Sequence, residues 1–438
     1  MYYPYIDRYE FYENLPIYML IFIILVLISI FVYIKLSFPF WNIQPVYHTY
    51  DFWRALYSKP FLIHNNDYIL RCAHKNTNKY HDLKQVKIIP FVDATDTQKQ
   101  SFVNLLQCFL LPSENAVFVF NLENLETYLG GHMFSSYLSL YERSGIEHNR
   151  SGIEHNRSGI EHNMSGIESN NTIACISSRS GELYIRGYKA PIYYIEFLCV
   201  KREEDFKKIS RTLLQTHIYK QQLIDEMESR THVGSQMILV SLFRREKELL
   251  TGIIPLTRFQ TVYYEIPQIN KKMVLSDHVI LIHIDHTNVN IFVDFLEGSQ
   301  SNFECFLRTD IANLIGMIKS GILYVYCLKR MDDILSAYIF RDTRMSYDGL
   351  GGILQLVGTI HNSSYLPLFM NGFINSVFEI IRKIPVYKVL MVDEIGDNTF
   401  ITNSIGGRII QCHLTAYYLY NMVVPYSPLR SIRCFILF

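Results

Sequence analysis

Residues 193–210 read YYIEFLCVKREEDFKKIS, and this stretch decides the fold. Tyr193–Val200 is apolar over most of its length and has the size of a buried strand. A short charged turn follows. From Phe206 to Glu228 the apolar residues Ile209, Leu213, Leu214 and Ile218 share one face at helical spacing. Met237–Phe243 then reads as another strand.

The pattern extends outward on both sides. Upstream, Ile173–Ser177 and Glu182–Gly187 predict a hairpin around Ser180-Gly181. Gln98–Leu111 predicts a helix, with Phe102, Val103, Leu105, Leu106, Phe109 and Leu110 as its apolar residues. Ala116–Phe120 predicts a short strand. Downstream, Ile311–Ile318 predicts a helix, and Leu323–Lys329 with Leu335–Arg341 a hairpin over Met331-Asp332-Asp333. A strand at Leu354–His361, a helix at Leu366–Ile381 and a strand at Tyr387–Val392 come next. Ala416–Val424 and Cys434–Phe438 close the series. Hairpin, strand, helix, strand thus occurs twice. The expectation is an α/β (α+β) fold of two acetyltransferase-type (GNAT) units in tandem, residues 37–265 and 266–438.

At the other end, Leu15–Ile34 (LPIYMLIFIILVLISIFVYI) carries no charge. Twenty such residues at 1.5 Å each cover a hydrocarbon core of about 30 Å. The flank before it is acidic (Asp7, Glu10, Glu13) and no small-residue cleavage site follows, which argues against a signal peptide. One transmembrane helix over residues 15–36 is expected, behind a short flank at 1–14. Lys35, Arg54 and Lys59 follow the segment while Arg8 alone precedes it, so the large C-terminal part is expected in the cytosol.

Charge balances at 41 basic and 41 acidic residues, so no basic excess points to nucleic acid. The eight Cys contain no C-x-x-C pair, which removes support for a zinc ribbon or a thioredoxin-like site. RSGIEHN recurs at 143–149, 150–156 and 157–163, with MSGIESN at 164–170. Each copy has one apolar residue and one Gly, which does not make a coiled-coil heptad. His148, His155 and His162 recur in register, but without a second ligand type an expanded surface loop is the favoured reading, and no metal is expected.

Four short stretches resemble motifs of the N-myristoyltransferases, in that family's order. Phe40-Trp41-Asn42-Ile43-Gln44-Pro45-Val46 resembles its F-W-x-T-Q-P-V entry motif, and Ile195–Val200 its I-N-F-L-C-V strand. Asp397-Asn398-Thr399-Phe400 is similar to E-N-K-T-F, and Tyr417–Asn421 to Y-Y-L-Y-N before an apolar tail that stops at Phe438. The resemblance spans residues 38 to 438 and implies transfer of a fatty acyl group from myristoyl-CoA to the N-terminal glycine amine of a protein. It implies that the backbone amides of Phe197 and Leu198 receive the oxyanion, and that the terminal carboxylate of Phe438 acts as base. It further implies that Phe40 and Trp41 lie along the acyl-CoA, with Lys207 and Lys208 near its phosphates.

Two departures bear on that expectation. Glu203, Glu204 and Asp205 put three acids where the family has a basic loop. The family's acidic peptide-binding loop falls near Pro112–Ala116, where Glu114 is the one acid. The alternative is a non-catalytic acyl-binding or structural membrane protein that retains the fold.

Overall fold

The computed structural model describes residues 8–68, 77–111, 116–143, 171–231, 237–266, 271–347, 349–362 and 365–438. The RSGIEHN copies lie outside these residues apart from Arg143, and so does the expected acidic loop apart from Ala116.

Helix α1 (Arg8–Ser37) contains the apolar segment. It is long and apolar enough to cross a membrane, and none of that span is buried against the rest of the protein. Pro16 sits early in the helix, and Lys35 lies in its last turn.

The first half of the chain then supplies β1 (Phe61–Leu62), β2 (Val86–Pro90), α2 (Asp96–Phe109), β3 (Ala116–Phe118), α3 (Leu122–Leu129) and β4 (Tyr137–Glu142). It continues with β5 (Thr172–Ile185), β6 (Tyr188–Val200), α4 (Phe206–Thr231), β7 (Val240–Glu246) and β8 (Thr257–Glu265). The second half supplies β9 (Val279–Ile284), α5 (Val289–Gly298), β10 (Cys305–Thr309), α6 (Ile311–Lys319), β11 (Leu323–Arg330), β12 (Asp333–Tyr347) and β13 (Gly351–His361). It ends with α7 (Leu366–Lys383), β14 (Tyr387–Asp393), α8 (Asn398–Thr402), β15 (Ile409–Tyr420), β16 (Met422–Val423) and β17 (Cys434–Leu437). Among the described residues, 15 strands join in one sheet.

Both halves follow one plan. β5 and β6 are antiparallel, and β6 lies parallel to β7 with α4 between them in sequence. β12 and β13 are antiparallel, and β13 lies parallel to β14 with α7 between them. Each half then lends its last long strand to the other. β8 pairs with β14, β15 pairs with β7, and β8 and β15 pair with each other between them. The two halves are thus one continuous sheet joined by exchanged strands.

Two expectations need correction. No hairpin turns at Ser180-Gly181: β5 runs unbroken from Thr172 to Ile185. The turn lies at Arg186-Gly187, where φ of +47° and +78° make the two-residue loop that a right-twisted hairpin requires. Gly181 serves a different need. A Cβ there would lie 2.5 Å from the ring of Phe438, so the glycine lets that ring approach the strand. The last long strand also ends before Val424. Asn421, at φ +65°, breaks it after Tyr420, and its side-chain amide donates to the carbonyls of His64 and Leu239.

The tail is packed, not frayed. β17 lies parallel to β10, and Phe435, Ile436 and Leu437 are buried. Burying side chains of this size contributes about 1.5–3 kcal/mol each, which is enough to hold a chain end in place.

Candidate active site

The site begins with a register slip. On β6, Glu196 faces Ser177 of β5 and Cys199 faces Cys175, so Phe197 and Leu198 together oppose Ile176. This is a β-bulge at the two residues expected to donate amides. Phe197 has φ +55°, a left-handed backbone that a phenylalanine rarely adopts. Packing of its ring accounts for this. The ring lies among Phe102, Phe120 and Tyr128, at centroid distances of 6.4, 5.3 and 5.8 Å. The core fixes the side chain, and the backbone turns around it.

At the bulge the sheet opens. β6 pairs with β7 only from Ile192 to Ile195, then continues to Val200 without that partner. Leu198 belongs to the apolar cluster on this side, with Ile195, Phe243, Tyr418 and Trp41. Trp41 stacks on Phe243 at 5.7 Å, and buried Phe40 meets Trp41 and Tyr80 edge-on. Both expected acyl-CoA contacts therefore stand in or beside the cluster that flanks the opening. The carbonyl of Trp41 is hydrogen-bonded to His48 Nε2 at 2.8 Å.

α4 starts just beyond β6. The backbone amide of Lys208 donates to the Asp205 side chain at 3.1 Å, an N-cap. Glu204 forms an ion pair with Arg143 at 2.8 Å. Glu203, Lys207 and Lys208 are exposed. Of the three acids, one is thus neutralised, one caps the helix and one faces solvent.

Phe438 reaches the same region from the opposite side. Its ring stacks on Tyr194, three residues before Phe197 on β6, at 4.8 Å. The guanidinium of Arg179 lies 5.7 Å from each of these two rings and pairs with Glu196 at 2.6 Å. A main-chain oxygen of Phe438 accepts a hydrogen bond from Arg341 Nη1 at 2.8 Å. Phe438 and the bulge are therefore joined through Tyr194, Arg179 and Glu196.

A buried polar chain leads away from Arg341. Its Nε donates to Gln355, Gln355 donates to Asp393, and Asp393 holds Arg244 through two bonds of 2.7 and 2.9 Å. Thr261 also donates to Asp393, at 2.6 Å. Arg244 continues to Glu246, which also meets His413. Burial pushes the Glu246 carboxyl up, but Arg244 and His413 outweigh it and hold the pKa down to about 2.

Of the residues expected from the sequence, Phe197 and Leu198 form the bulge, Phe438 stacks on the same strand, and Phe40 and Trp41 pack in or beside the cluster next to it. The sequence did not point to Arg179, Arg341, Gln355 or Asp393 beside them. The available signal was a charge directly after an apolar run, as at Arg341 after Ala337–Phe340, because such a residue needs a partner where it is buried. Among the described residues no group of three or more His, Cys, Asp or Glu could hold a metal.

The chain matches no family model and no curated protein sequence. It is similar in structure to three crystal structures of Saccharomyces cerevisiae N-myristoyltransferase with bound myristoyl-CoA. Their TM-scores are 0.65, 0.64 and 0.63, each at 13% identity, over 90% of this chain and 90%, 94% and 91% of theirs. The fold is that of an N-myristoyltransferase. At this identity the likeness speaks for the architecture, and the chemistry rests on the side chains described above.

Proposed function

We propose that this protein transfers a long fatty acyl group from acyl-CoA, with myristoyl-CoA as the favoured donor, to the N-terminal glycine amine of a protein. The observation that carries this reading is the bulge at Phe197 and Leu198, with Phe438 stacked on the same strand. In the reaction the amine nitrogen bonds to the thioester carbon and the carbon–sulfur bond breaks. The displaced CoA thiolate leaves, and the amine gives up a proton. Amides freed by the bulge would receive the developing oxyanion. The terminal carboxylate, held by Arg341, would orient the incoming amine and accept its proton. Phe40 and Trp41 would line the donor, and Lys207 and Lys208 would meet its phosphates.

In this reading α1 anchors the enzyme in a bilayer, with the body in the cytosol where acyl-CoA is available. The positive charges after the helix support that orientation.

The test is transfer of labelled myristate to a peptide beginning with glycine. Removing residues 435–438, or making Arg341→Gln, is expected to lower kcat about 100-fold or more. Undiminished turnover in both variants would remove Phe438 from the mechanism. One observation favours a second reading, an acyl-binding protein without turnover. Asp205 already occupies an amide at the start of α4 that a phosphate would use. Saturable acyl-CoA binding with no transfer to any glycine peptide would support that reading.

A further inference from the structure

The segment after the entry motif is built inside out. In the short helical turn Phe52–Leu56 and its neighbours, the charged groups face inward. Asp51 meets His48 at 3.2 Å and Arg54 at 3.4 Å, and all three side chains are largely covered. The apolar groups face outward. Phe52 is 81% exposed, Leu56 84%, Trp53 46% and Tyr57 50%. Water favours the reverse arrangement, so a cluster of this kind marks a surface meant to be covered.

Its position identifies the cover. Phe38, the first residue after α1, packs its ring on Gly252, where a Cβ would lie 3.1 Å away. The amide of Thr49 donates to the carbonyl of the same Gly252 at 3.1 Å, and His48 bridges to Ile253. The foot of the apolar helix and the root of the exposed turn are thus fixed to one loop. A bilayer that contains α1 ends beside this turn. Trp and Tyr, with an apolar body and a polar tip, suit the headgroup boundary, while Phe and Leu suit the outer acyl region.

We propose that Phe52, Trp53, Leu56 and Tyr57 form a second membrane contact, which lies in the interface of the bilayer that α1 crosses. This rests on the reading of α1 as an anchor. The two contacts together fix the tilt of the body, because one helix alone leaves it free to swing. Lys59 follows the patch on the exposed side, where lipid phosphates would meet it.

The chain has two tryptophans, so the contact can be read directly. The full-length Trp41→Phe protein, which keeps Trp53, is reconstituted in phosphatidylcholine vesicles whose acyl chains carry bromine. Should that variant misfold, the wild-type signal minus that of Trp53→Phe gives the same quantity. The expected result is flotation with the vesicles, with Trp53 strongly quenched by the brominated chains and shielded from aqueous iodide. Phe52→Ser with Leu56→Ser should still float but lose most of the lipid quenching. Flotation with Trp53 open to iodide and unquenched by lipid overturns the second contact and leaves the anchor standing. Shielding from iodide that grows with protein density, without lipid quenching, assigns the patch to another copy and also overturns it. Failure to float overturns the anchor and the contact together.

Discussion

Gly181 and Phe438 show how a single residue can carry geometry that its type does not announce. Glycine between two strand-like runs reads as a turn, but here it makes room for an aromatic ring that arrives from the far end of the chain. A Gly181→Ala substitution is therefore expected to push the Phe438 ring off Tyr194. It should cost about 1–3 kcal/mol of stability, measured by denaturant unfolding, as overpacked cores do. In the proposed reaction it should also lower acyl transfer more than a substitution of similar size elsewhere on β5. At this scale the sequence was legible where residue types were distinctive, as in the aromatics of the entry segment and the bulge strand. For Arg179, Arg341 and Asp393 it told nothing of what they pair with. Their partners lie on other strands, and pairing across a sheet leaves no local spacing to read.

At the scale of the element, α4 combines a capped start with a polar buried face. Asp205→Ala is expected to cost about 1 kcal/mol through the lost N-cap. In the proposed reaction it should also tighten acyl-CoA binding, since an amide and a site for negative charge are released; denaturant unfolding gives the first value and titration calorimetry the second. Farther along, Asp225 accepts hydrogen bonds from Tyr137 and Tyr193, and burial pushes its carboxyl up to about 7. A raised carboxyl pKa contributes stability at low pH and loses it as the pH climbs to the folded value. Relative to Asp225→Asn, the wild type should therefore lose up to about 1.4 kcal/mol per pH unit between pH 4.5 and 7, and no more above that range. His217, about two turns earlier on the same helix, stays neutral throughout. Burial lowers its pKa to about 3, and Ser139 and Ser178 hold its two ring nitrogens. Helix α4 was plain from its apolar spacing, and its ends lie within a few residues of expectation. Strand ends were less so. The lengths of β5, β12 and β15 are set by which neighbour each strand meets, and each meets different partners along its length.

Across the whole molecule, the repeated order of elements was visible in the sequence, but the exchange of β8 and β15 was not. Apolar periodicity states that a strand is buried, not whose edge it joins. The exchange makes a firm prediction. Residues 1–266 and 271–438, expressed separately, should each fail to fold, because each lacks the strand that covers its parallel pair. Co-expressed, they should recover a soluble complex, seen by size-exclusion chromatography and a cooperative thermal transition. Apolar helix α1 stands apart from this body, and its removal should leave the thermal transition of the sheet unchanged.

The same exchange has a consequence for synthesis. A ribosome releases the chain from its N-terminus, and an N-terminal domain generally folds as a unit while the rest is still being made. Here β7 waits for β15 to cover its edge, and β10 waits for β17. The nascent protein must therefore spend most of its translation with open strand edges. If α1 has already entered a bilayer, the unfinished chain is held at that surface, away from the other unfinished chains with which its edges would otherwise pair.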